Sequence, residues 1–315
     1  MSRHKRTGPL ADAHGSVPRH FSGFVSILGR PNAGKSTLLN ALLGQKVAIV
    51  APRPQTTRTA IQGVLTAPEA QIVFVDTPGI HKSTTLMNKR MMDTVRASAP
   101  ADVVLFLIDS VARFTEEDAQ AVDLVKSIQA PAIAVFNKVD RLRAKTKVLE
   151  LIEQYRALHE FAAYVPISAR NGEGLEVLKK EIVARLPEGP ALYPKDYLTD
   201  QPERFLAAEL IREQALRLTR EEVPHAVAVM IENWEDTPKL LRIAATIYVE
   251  RTGQKAILIG VGGAMLKKIG TQARQQIETL TGKKVFLQTF VKVRANWRED
   301  PEFLAASDWR GMAGR

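Results

Sequence analysis

The chain has 315 residues, enough for two domains or three, with 45% hydrophobic and 25% charged residues. That mix excludes a wholly disordered chain, and the absence of cysteine excludes disulfides, zinc–thiolate sites, iron–sulfur clusters and thiol nucleophiles. The net charge of +10 points to an anionic partner: nucleic acid, a membrane surface or a phosphorylated ligand.

Residues 1–20 are rich in Gly, Pro, His, Ser and Arg without periodicity and read as a flexible extension. Arg3, Lys5 and Arg6 are not followed by an apolar stretch, so export is not expected, and no apolar run approaches the 18 residues of a membrane span. From Gly23 an alternation begins. Phe24 to Leu28 reads as a buried strand, followed by a Gly-rich turn and a helix from Lys35 to Leu43. Ile61 to Leu65 and Gln71 to Val75 are strands joined too closely for a crossover, so they must be antiparallel. Val103 to Ile108, Ala132 to Phe136 and Tyr164 to Ile167 are further short strands. Helical patterns fall at 84–97, 115–129, 146–158 and 172–186. This order predicts an α/β fold with a mixed, mostly parallel sheet covered on both faces.

Prolines and glycines at 187–194 end that regime. The expected organisation is a basic extension over 1–22, a nucleotide domain over 23–189, a linker over 190–203, a smaller α+β module over 204–297 and a tail over 298–315. Within the second module the patterns give a helix at 203–220 with one apolar face, strands at 226–234 and 241–251, a Gly-rich turn at 260–263, a helix at 264–281 and a strand at 284–293. The charge divides with the segments. Residues 254–300 carry nine Lys/Arg against three Asp/Glu, whereas residues 23–200 carry 22 against 19.

Gly29-Arg30-Pro31-Asn32-Ala33-Gly34-Lys35-Ser36 matches the P-loop pattern G-x-x-x-x-G-K-[ST], after a strand and at a helix start. Backbone N–H groups of such a loop and the helix N-terminus cradle phosphates. Lys35 would neutralise the β- and γ-phosphate oxygens and Ser36 would ligate Mg²⁺. Asp76-Thr77-Pro78-Gly79 follows the strand ending at Val75. There Asp76 can hold Mg²⁺ through a water, and the Gly79 N–H can reach a γ-phosphate. Thr56 and Thr57 lie between these motifs, and Thr57 is the expected metal ligand, closing when GTP is bound. Asn137-Lys138-Val139-Asp140 selects the base. The Asp140 carboxylate can accept from guanine N1–H and N2–H together, a pair that adenine lacks. Asn137 would address the other side of the base and the Lys138 stem its plane. Ser168-Ala169 would close the base site. His81, also nearby, reads as an ordinary surface histidine.

Gly260-Val261-Gly262-Gly263 supplies a G-x-x-G turn between helical segments. The element order around it resembles a type II KH fold, in which this turn clamps single-stranded RNA. The turn departs from the usual pattern, because Val261 and Gly262 stand where a lysine or polar residue is common. Lys267 and Lys268, one turn into the next helix, can replace the lost phosphate contact.

The order GRPNAGKS, PQTTR, DTPGI, NKVD and SA resembles the Era family of GTPases over about residues 22–298. Ile80 stands where signalling GTPases carry a water-orienting glutamine, a departure usual in the Era-like group, which implies slow intrinsic hydrolysis. The resemblance implies a GTP/GDP switch that binds small-subunit ribosomal RNA near its 3′ end and assists maturation of the pre-30S particle in the cytoplasm. It also implies Mg²⁺, a K⁺ ion held with the help of Asn32, and peripheral contact with the inner membrane; DNA is not an expected partner. The alternative reading is a GTPase whose basic domain docks on membrane or protein instead of RNA. The G-x-x-G turn and the lack of a basic amphipathic helix with aromatic anchors weigh against it.

Overall fold

The computed structural model describes residues 19–308 apart from 52, 54–55, 81–84, 98–100, 145 and 220–222. Most of the expected extension, His81 and the end of the tail lie outside the described residues. Six strands form the first sheet: β1 (Phe21–Gly29), β2 (Ile61–Thr66), β3 (Ala70–Asp76), β4 (Val103–Asp109), β5 (Ala132–Asn137) and β6 (Ala163–Pro166). Their spatial order is β2-β3-β1-β4-β5-β6. β2 runs antiparallel to β3, as its short connection requires, and the other neighbours are parallel. β4 and β5 are Val/Ile/Phe-rich and buried along nearly their whole length, the pattern of strands covered on both faces.

Helices α1 (Lys35–Leu43), α2 (Leu86–Ala97), α3 (Glu116–Lys126), α4 (Thr146–Leu158) and α5 (Leu175–Val183) belong to this domain. Leu38, Leu39, Leu178 and Ile182 fill the core on one side of the sheet; Val122, Val125, Tyr155 and Phe161 fill the other. Successive connections leave β1 in opposite directions, to β3 on one side and β4 on the other. Such a switch point opens a crevice at the carboxyl ends of the strands, where ligands of open α/β sheets bind.

The second domain is built from α6 (Glu203–Leu218), β7 (Ala228–Asp236), β8 (Leu240–Val249), α7 (Thr252–Ile259), α8 (Ala264–Thr281) and β9 (Lys284–Val293). β7 is antiparallel to β8, and β8 is parallel to β9. A parallel pair needs a crossover, which α7 and α8 supply. On α8, Ile269, Ala273 and Ile277 recur every four residues and pack with Ile211 and Ala215 of α6 in the core of this sheet. β7 starts two residues later than its pattern suggests because Val223–Ala226, with Pro224, forms a 3₁₀ turn.

Three readings of the sequence need correction. The segment over 190–203 is no free linker: Gln71 accepts from the backbone N–H of Leu192 and Tyr193, and Val64 N–H donates to Leu198 O at 2.8 Å. The segment from 298 is more than a tail. It contains α9 (Pro301–Ser307), started by Asp300, whose carboxylate accepts from the N–H groups of Glu302 and Phe303. Phe303 and Leu304 then pack with Trp297 and with Met87 and Met91 of α2, joining the two domains. Finally, α6 is buried almost all round and not on one face, because it lies between its own sheet and the loop that follows α1.

Trp297 is 1% exposed, donates its indole N–H to Ala226 O at 2.9 Å and lies under the guanidinium of Arg58 from the first domain. Trp297→Ala should therefore cost about 3–5 kcal/mol. A thermal or denaturant unfolding midpoint no lower than wild type would contradict this packing.

Candidate functional site

The crevice beside β1 is an open cleft of about 860 Å³. Gly29 and Gly34 have φ of 146° and 101°, and Asn32 has φ of 62°, so the P-loop turns tightly between β1 and α1. Lys35 is buried and donates to the carbonyls of Gly29 and Arg30, both at 3.1 Å. Burial pulls its pKa down to about 8, and Asp76 partly opposes that shift.

Three oxygen-bearing side chains meet at the mouth of α1. Ser36 Oγ lies 2.7 Å from Thr57 Oγ1 and donates to Asp76 Oδ2 at 2.7 Å; Thr57 Oγ1 also donates to that oxygen at 3.2 Å. Asp76 is fully buried, and its Oδ1 has no hydrogen-bond partner. Burial pushes its carboxyl above the usual range, opposed by Lys35 and by the two hydroxyls. A hard oxygen donor set with one orphaned carboxylate oxygen fits Mg²⁺ completed by waters and phosphates. Of the two threonines, the structure brings Thr57 here. Thr56 Oγ1 instead donates to Arg53 O at 2.7 Å within its own loop.

At the other end of the cleft, Asp140 is exposed and accepts from Ser168 Oγ at 2.6 Å. Lys138, at φ 70°, sends its ammonium to Asn32 O and to Asp109, both at 2.6 Å. The Asp109 contact ties β4 to the base loop and was not read from the sequence. Asn137 also has a structural part. It is 2% exposed and its amide bonds the backbone: Nδ2 donates to Ala33 O at 2.8 Å, and Oδ1 accepts from Lys138 N at 2.8 Å and Ala169 N at 3.0 Å. It braces the phosphate loop against the base loops, and the second N–H of its Nδ2 is left over from that bond.

Several other motif positions act through the backbone or the core. Arg30 turns away to Asp118 at 2.6 Å and Glu117 at 3.1 Å. Thr77 donates to Ile27 O at 2.8 Å. Ile80 is buried, and its N–H is taken by Gly29 O at 3.1 Å, so it offers nothing to an attacking water. Val139 donates its N–H to Ile167 O at 3.2 Å. Gly79 cannot carry a side chain, since a Cβ there would meet Pro31 N at 2.7 Å. Pro31 lines the cleft, and Ala33 is buried behind it.

In the second domain, Gly260, Gly262 and Gly263 have φ of 70°, 57° and 80°, so the turn needs all three glycines. Val261 is 95% exposed at its tip. Of the nine basic residues in 254–300, Arg274, Lys283, Arg294 and Arg298 are spent on ion pairs. Lys267, Lys268, Lys284 and Lys292 are exposed and in no ion pair among the described residues. The cationic surface is thus narrower than the composition suggests, and two of its lysines stand directly after the turn.

Fold and cleft together define a P-loop protein of the guanine-nucleotide class carrying a second, KH-like domain. The comparisons agree. A family described as 50S ribosome-binding GTPase matches residues 24–138, and a KH domain matches residues 222–298. The chain is 50% identical over 286 residues to GTPase Era of Geobacter metallireducens, covering 90% of this chain and 96% of that one. It is 47% identical over 293 residues to GTPase Era of Lactobacillus delbrueckii, covering 92% and 96%. Among solved structures it resembles Era in complex with MgGDPNP and nucleotides 1506–1542 of 16S ribosomal RNA, with a TM-score of 0.90, 42% identity and coverage of 92% and 99%. It resembles Aquifex aeolicus Era bound to GDP·AlF4⁻ nearly as well, with a TM-score of 0.89 and 42% identity over the same shares. The chain belongs to the Era family of GTPases.

A Cβ at Gly34 would fall 2.4 Å from Asn137 Nδ2 at a φ of 101°. Gly34→Ala should weaken guanine-nucleotide binding about 100-fold while the second domain stays folded, since a strained left-handed residue and a displaced brace cost a few kcal/mol. Titration with a fluorescent GTP analogue checks this, and wild-type affinity would contradict the role given to Asn137.

Proposed function

We propose that this GTPase is a switch that binds small-subunit ribosomal RNA near its 3′ end and assists maturation of the pre-30S particle, with GTP hydrolysis timing release. The observation that carries the switch is the contact beside Thr57. Arg212 of α6 donates to the carbonyl of Thr56, and Glu213 accepts from Val50 N–H at 2.9 Å and from Lys46. The residue next to the metal-site hydroxyl is thus bonded to the first helix of the KH-containing domain. The second phosphate-sensing segment reaches the same domain: α2 begins ten residues after Asp76, and its Leu86 N–H donates to Glu299 at 3.1 Å. Ordering Thr57 and the turn at Gly79 therefore changes how the KH-like domain is held.

Mg²⁺, held by Ser36, Thr57 and Asp76, would neutralise charge between the β- and γ-phosphates. Lys35 neutralises the same oxygens, the P-loop N–H groups orient them, and buried Ile80 leaves hydrolysis without a side-chain water positioner, hence slow. Asn32 is exposed and lines the cleft, in place to help hold K⁺. In the RNA groove, the glycine turn clamps the backbone while Lys267 and Lys268 meet phosphates. The relative solved with 16S ribosomal RNA supports this reading. A protein acting on pre-30S particles would work in the cytoplasm. The inner-membrane contact would draw on the basic extension, outside the described residues. No helix among the described residues is long and apolar enough to cross a membrane.

Three outcomes are expected. Affinity for a 3′-end 16S RNA fragment should differ between the GTP-analogue and GDP states; equal affinities would remove the coupling. Lys267→Glu with Lys268→Glu should weaken RNA binding and flatten the slope of log K against log salt by about 1.4, at roughly 0.7 per lost phosphate contact. Turnover should be faster in potassium than in sodium buffer, and Asn32→Ala should abolish that difference.

A further inference from the structure

The nucleotide cleft is not built from the first domain alone. Arg217, the next-to-last residue of α6, lines it together with Val50, Ala51, Arg53 and Thr57. Every other arginine of α6 is committed: Arg204 donates to Ile231 O at 2.8 Å, and Arg212 pairs with Glu209 and bonds Thr56 O. Glu213, one turn before Arg217, is taken by Lys46 and Val50 N–H. Arg217 itself is exposed, and its guanidinium makes no ion pair or hydrogen bond among the described residues.

Arg53 stands beside the same helix end. One of its Nη atoms donates to Thr219 O at 3.1 Å, two residues beyond Arg217, while its Nε is buried without a partner. Among the described residues, the one acidic residue lining the cleft is Asp140, at the base end and bonded to Ser168. Two guanidinium groups thus flank the wall that runs towards Thr57, and neither is in an ion pair with a carboxylate among the described residues. Such an edge suits an anion, and the anion this cleft takes is a nucleoside polyphosphate.

We propose that Arg217, steadied by Arg53, is a phosphate-binding group of the nucleotide site contributed by the KH-containing domain, so that the site is complete only when both domains are docked. This rests on reading the cleft as the GTP site. A competing role for Arg217 is to complement the negative C-terminal end of α6, which would affect stability and not nucleotide binding.

The test uses the full chain, with titration of GDP and a non-hydrolysable GTP analogue, and with guanosine in competition as the phosphate-free probe. Arg217→Ala should weaken both nucleotides about 3- to 10-fold, a charge-assisted contact discounted for exposure, and leave guanosine unchanged. Arg217→Glu should weaken them further, and Arg217→Lys should restore most of the loss at low salt. Lys35→Ala is the control for the cleft itself. If both Arg217→Ala and Arg217→Glu bind as wild type while Lys35→Ala does not, the role of Arg217 is overturned and the site stands. If Lys35→Ala also binds as wild type, the reading of the cleft falls with it. A parallel loss of guanosine affinity, or a lowered unfolding midpoint with unchanged affinities, would likewise overturn the proposal.

Discussion

The architecture turns on one buried carboxylate. Asp76 ends β3 fully buried, with one oxygen bonded by Ser36 and Thr57 and the other without a partner among the described residues. A charge in that setting is tolerable only if cations come to it. Lys35 supplies one, and a divalent ion would supply the other, so the same burial that penalises the carboxylate suits the site to metal and phosphate together. Thr57 stands on the loop after α1, while Ser36 and Asp76 sit on regular elements. Its neighbour Thr56 is bonded to α6.

The fold was largely legible because its signals are local. Val/Ile/Phe runs at 103–108 and 132–136 mark buried strands, and the short step from Leu65 to Gln71 forces an antiparallel pair. The phosphate loop was legible for the same reason, as its glycines encode the turn directly. The brace made by Asn137 and the turn of Arg30 away from the loop were not. Each depends on a partner far away in the chain, Ala33 or Asp118, and sequence spacing carries no record of it. A motif states which residue type is needed, but not whether its side chain meets the ligand or holds the loop that does.

The second domain illustrates a different limit. Periodicity assigned α6 one apolar face, yet Arg212, Glu213 and Gln214 are buried as well. Arg212 and Glu213 face another domain, where they bond Thr56 O and Val50 N–H of the loop after α1 and the Lys46 ammonium, and Gln214 donates to Glu213. A buried arginine and glutamate on a helix expected to be half exposed is thus the sequence-level trace of a domain interface. Arg58 is the counterpart on the other side. Burial, then repulsion from Arg212, pulls its pKa down to about 9, still protonated at neutral pH, and it rests on Trp297.

The position of α9 has a bearing on how the chain is made. Leu86 and Glu299 are bonded across 213 residues, and Met87 and Met91 wait for Trp297 and Phe303 to cover them. Domains fold as units in the order of synthesis. The nucleotide domain is therefore complete, with that apolar patch of α2 uncovered, long before the segment that clasps it has been translated. The clasp on α2 is the last contact between the two domains that the nascent chain acquires, and a chain truncated before residue 297 would keep both cores and the α6 contacts and lose the clasp.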